Sequence, residues 1–125
     1  AIKASHDMRA SVRWFMHSAI EDQNPYNIDV DKIFLAGYSA GSITALLSGL
    51  IDEDDITSEF INDLLDENGG IQGSTGDPAH LIYKTDPKGI LNFSGAIYDT
   101  SWITVTDPPI FSFHGLRSTA NWNVQ

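Results

Sequence analysis

Along the first twenty residues the apolar side chains Ala4, Met8, Val12, Phe15, Met16 and Ala19 recur at steps of three and four. That period lays one apolar stripe along a helix and predicts helix over 4–20, with Asp7, Arg9, Arg13 and Glu21 facing elsewhere. Asn24-Pro25-Tyr26-Asn27 closes it, because proline biases its predecessor away from helix and asparagine suits turns. Residues 32–36, Lys-Ile-Phe-Leu-Ala, form a short apolar run between turn formers, the pattern of a strand covered on both faces. Helical patterns follow over 40–51 and 56–65, then a loop over 68–78 that carries four glycines. Two more apolar runs, 89–97 and 110–114, read as strands, the second introduced by Pro108-Pro109 and closed by Gly115. Residues 116–125 show no clear period.

Strand, helix, helix, strand, connection, strand is the order of a parallel sheet with flanking crossover helices, so the expected fold class is α/β. A length of 125 residues suits a single domain over 1–125, and 42% hydrophobic residues are enough for a core. Seven basic against seventeen acidic residues leave a net charge of −10. That sign opposes nucleic acid as a partner, since phosphate binding needs a basic face, and opposes docking on anionic lipid. No apolar run approaches membrane-spanning length, so no membrane insertion is expected. With no cysteine, thiolate metal sites and cysteine nucleophiles are excluded, although the compartment stays open. The acidic run Asp52-Glu53-Asp54-Asp55 lacks the alternating ligands and glycine of a calcium loop and reads as a solvated patch. No dinucleotide fingerprint or P-loop is present, and no metal or cofactor is expected. His6, His17 and His80 read as surface residues.

Gly37-Tyr38-Ser39-Ala40-Gly41 matches G-x-S-x-G, and its context gives the short pattern weight. A strand runs into it and a helix leaves it, the setting of a nucleophile elbow. Presenting Ser39 over the end of a sheet needs a strained, very tight turn, and Gly37 and Gly41 keep the space around it open. The Ala40 N–H would then point at the site as an oxyanion-hole donor, helped by the positive end of the helix. The alternative is a helix start merely capped by Ser39 or Ser42, with Ser42 in any case a small packing residue.

From Asp7 through Ser42 the chain resembles the α/β-hydrolase superfamily, in particular its carboxylesterase and lipase-like members near the polyhydroxybutyrate-depolymerase and feruloyl-esterase groups. Asn92-Phe93-Ser94-Gly95-Ala96 and Pro109-Ile110-Phe111-Ser112-Phe113-His114-Gly115 resemble the next two strands of that fold. The resemblance implies a truncated version of it, with the fifth to seventh strands present, and a serine hydrolase acting on a small-molecule ester through an acyl-enzyme on Ser39.

Such an enzyme needs a base and an acid that orients it. Where the family pattern wants an aspartate after the seventh strand, this chain has Ser118, and the usual histidine position has no counterpart. Asp99 as acid and His114 as base would keep the serine–acid–histidine order, against the plainer expectation that Asp99 caps a turn and His114 supports its loop. The competing function is a non-catalytic, hydrolase-derived folding or oligomerisation unit. An unpaired edge of the strand carrying Ser39 would then be covered by homodimerisation or domain exchange.

Overall fold

The computed structural model describes residues 1–52, 55 and 59–115, apart from the side chain of residue 60. Its elements are α1 (Ile2–Glu21), β1 (Leu35–Tyr38), α2 (Ala40–Leu50), α3 (Glu59–Asp66), β2 (Ile90–Phe93) and β3 (Ile110–Phe113), with short 3₁₀ turns at Pro78–Ile82 and Thr100–Trp102. The three strands form one parallel sheet in the order β1-β2-β3. The class is therefore α/β, as the alternation of elements predicts. The tail over 116–125, including Ser118, lies outside the described residues, as does residue 56 in the third helical pattern.

The strand register sorts the side chains into two faces. Leu35, Ile90 and Ile110 share one row and turn toward the helices. There they meet Val12 from α1 and Ala45, Leu46 and Leu50 from α2, which with Leu35 and Ile90 form the buried core. The alternate row of Ala36, Leu91 and Phe111 faces away from it. Coverage on both faces, expected for the strand over 32–36, is thus not what the described residues provide. The strand itself lies later, at Leu35–Tyr38, and runs directly into the turn at Ser39.

The inward side of α1 is more polar than its sequence suggests. Arg9 and Arg13, expected to face away from the core, are only 5% and 1% exposed. Arg9 donates to the carbonyls of Ser48 (2.9 Å), Ile51 (2.7 Å) and Ile71 (2.6 Å). Arg13 donates to the Gln72 side chain (3.0 Å) and to the carbonyls of Gln72 and Thr75. One guanidinium thereby satisfies carbonyls at the end of α2, where a helix leaves acceptors unpaired and favours positive charge, and together the two tie the glycine-rich loop to α1. Burial pushes the Arg9 guanidinium down to about 10, which leaves it charged at neutral pH.

His6 belongs to the same cluster and is buried, contrary to the surface position expected for it. Gly73 sits against its ring, at a positive φ of 69°, where any side chain would collide with the imidazole. Its Nε2 is buried without a partner among the described residues. Burial first, and then the Arg9 charge, lower its pKa from 6.5, outweighing the Gly70 backbone and Asp7, which act the other way. The unfolded chain therefore takes up this proton before the folded chain does. The His6 contribution to stability is complete above about pH 6.5 and is lost as pH falls through the lower native value. Urea titrations between pH 7.5 and 5 are expected to show stability falling with acid in the native protein and a flatter dependence in His6→Asn.

Candidate active site

Ser39 stands where β1 ends and α2 begins, at the carboxyl rim of the sheet, and it is exposed. Its backbone has φ 52° and ψ −119°, a conformation costly for any residue with a Cβ. The turn is held from both sides. The Ser39 N–H donates to the Phe93 carbonyl of β2 at 2.8 Å, and the Ser39 carbonyl accepts from the N–H groups of Ser42 and Ile43. Ser39 makes no side-chain capping bond to its helix. Its hydroxyl is therefore not used as a cap, contrary to the capping alternative for Ser39.

Gly37 behaves as the tight turn requires. A Cβ there would lie 2.2 Å from the carbonyl carbon of Gly41, so no side chain fits without moving the helix. Gly41 differs from expectation, because a Cβ at that position meets nothing within 4 Å. The crowding lies on the strand side of the elbow alone, among the described residues.

Ser42 does more than fill space. Fully buried, it donates to the Gly37 carbonyl and accepts from the Phe93 N–H at 2.8 Å. One hydroxyl thus joins β1, α2 and β2 directly beneath Ser39. Gly95 packs on the same spot, where a Cβ would stand 2.3 Å from that of Ser42. Read from sequence, Ser42 is only a small packing residue, because the Phe93 N–H that it binds lies far along the chain and leaves no local signal.

Ala40 opens α2, and the N–H groups of a first helical turn have no partners within the helix. No group among the described residues accepts from the Ala40 N–H, which leaves it free for a ligand oxygen at the rim. The proposed acid and base are placed differently. Asp99 caps the Thr100–Trp102 turn, accepting from the Ser101 N–H at 2.9 Å, and that bond lowers its pKa. His114 follows β3 and is exposed, with Nε2 3.5 Å from Asn92 Nδ2, long for a hydrogen bond. Asn92 itself is buried and occupied, donating to Ser112 Oγ at 3.1 Å and accepting from the Gly95 N–H. No hydrogen bond joins Ser39, Asp99 and His114. Two strand spacings separate β1 from β3, about 10 Å of sheet between the serine and histidine backbones.

A large cavity lies elsewhere. About 700 Å³ in volume, it sits at the amino ends of β2 and β3 beside Arg9, Ser48, Asp86, Lys88 and Pro109. The Arg9 donors there are already spent on carbonyls, so its size does not outweigh the chemistry at Ser39. Among the described residues no group of acidic and histidine side chains could hold a metal ion, and no helix is long and apolar enough to cross a membrane.

Three substitutions probe the elbow by thermal or chemical denaturation. Ser42→Ala leaves the Phe93 N–H and Gly37 carbonyl short of a partner and is expected to cost about 2 kcal/mol. Gly37→Ala forces strand and helix apart and is expected to cost about 3 kcal/mol. Ser39→Gly relieves the positive φ and is expected to stabilise the fold by about 1 kcal/mol.

Compared with known proteins, the chain matches no family model, no curated protein and no solved structure.

Proposed function

We propose that the chain is a serine carboxylic-ester hydrolase of the α/β-hydrolase type, with Ser39 as its nucleophile. One observation carries this reading: an exposed serine held in a strained positive-φ turn between a parallel strand and a helix, its hydroxyl unused as a cap. Strain of this kind survives only where surrounding structure enforces it, and here Gly37, Ser42 and the Phe93 carbonyl do so.

In the proposed reaction the Ser39 oxygen attacks the ester carbonyl and the alcohol leaves, giving an acyl-enzyme. Water then releases the carboxylic acid. Negative charge developing on the carbonyl oxygen is met by the Ala40 N–H and the positive end of α2. The base is the weak part of the arrangement. His114 is the candidate at the same rim, but its ring nitrogen lies near Asn92 and makes no hydrogen bond to Ser39. Asp99 is committed to its own turn. Slow turnover of activated esters follows from a nucleophile with an oxyanion donor and no engaged base.

The absence of hydrogen bonds among Ser39, Asp99 and His114 also favours a second reading, a hydrolase-derived unit that does no catalysis. A fluorophosphonate probe separates the two. Covalent labelling of Ser39, and hydrolysis of p-nitrophenyl acetate that disappears in Ser39→Ala, are expected for the enzyme. An unlabelled but folded protein would leave the second reading standing.

A further inference from the structure

The strand register sets out the outer face of the sheet as three rows: Phe34, Gly89 and Pro109; Ala36, Leu91 and Phe111; Tyr38, Phe93 and Phe113. None of these nine positions carries a charge, and the Tyr38 hydroxyl is the one polar group among their side chains. Yet Phe34, Tyr38, Phe111 and Phe113 are more than half exposed, and Phe93 is 38% exposed. Along β3 the usual alternation is inverted: Ser112 lies on the helix side while Phe111 and Phe113 point out, Phe113 stacked on Phe93 with ring centres 5.1 Å apart. Parallel sheets are built with both faces covered, and these strands are composed for that situation.

The geometry points to a second copy of this chain as the cover, the two outer faces packing against each other across a two-fold axis. Area is the first argument. At about 200 Å² per aromatic side chain, the five aromatics alone expose on the order of 600 Å². That is the upper end of what a monomer shows and close to the roughly 800 Å² each partner gives a stable interface. Charge is the second. A net charge of −10 opposes self-association least on a surface that carries no acids, and none of the nine outer-face positions is acidic. Face packing also offers more than the edge pairing expected from the sequence, because β1 and β3 are only four residues long and present few hydrogen-bonding groups. Identical aromatic rows meeting about 10 Å apart can interdigitate as two sheets of a sandwich do.

Sedimentation equilibrium of the full chain from nanomolar to 100 μM is expected to show mass rising from 13.7 kDa to twice that value, with tighter association at higher salt. Phe111→Glu/Phe113→Glu is expected to raise the dissociation constant roughly 100-fold or more with an unchanged circular dichroism spectrum. Because the chain has no cysteine, Leu91→Cys gives a single thiol in the centre of the face. Its reaction with a disulfide reagent is expected to slow as protein concentration rises through the dimerisation range. A chain that stays monomeric at 100 μM overturns the proposal. So does a dimer that survives the double glutamate substitution, which places the contact at an edge. A thiol protected equally at every concentration means that another part of the same chain covers the face, and overturns it as well.

Discussion

The hydroxyl of Ser42 holds the point on which the rest of the molecule turns. It accepts a hydrogen bond from the Phe93 N–H and donates one to the Gly37 carbonyl, so a single buried oxygen fixes the end of β1, the start of α2 and the end of β2 relative to one another. Buried hydrogen bonds of this kind contribute modestly when made and cost heavily when half-made, so the group enforces geometry more than it adds stability. With that joint in place, the chain can reverse at Ser39 in a conformation it would not otherwise keep. The proposed chemistry is a consequence: an exposed hydroxyl beside an unpaired N–H exists only because the residue beneath has no freedom.

A second polar cluster stabilises the opposite end of the helical layer. Among the described residues Arg9 and Arg13 each gather backbone carbonyls. This arrangement places cationic groups at the carboxyl end of α2 and lends the glycine-rich loop, which buries little apolar surface of its own, a fixed attachment to α1. Its cost is visible in His6, packed against the same charges with one ring nitrogen unpartnered.

Period, turn residues and element order were sufficient for the helices, the strands and the α/β class, because those features depend on local apolar repeats. The elbow was legible for the same reason, since glycine and serine between a strand and a helix carry their geometry with them. What sequence could not supply was long-range. The carbonyls that capture Arg9 and Arg13 come from α2 and the 69–76 region, so arginines on a helix looked like solvated residues. Asp99 and His114 satisfy the chain order of a triad, while the strand order β1-β2-β3 sets serine and histidine two strands apart. Order along a chain does not fix distance across a sheet.

The pairing of Leu35 with Ile90 has a kinetic consequence. A parallel ladder between strands so distant in sequence cannot close until the intervening helices have collapsed, and each ladder step carries the entropy of a long loop. Assembly should begin with the neighbouring helices α1 and α2, leaving Ser39 without its enforced bend until β2 arrives. The exposed Ser39 hydroxyl would then take its final position late, in the step that pairs β2 with β1.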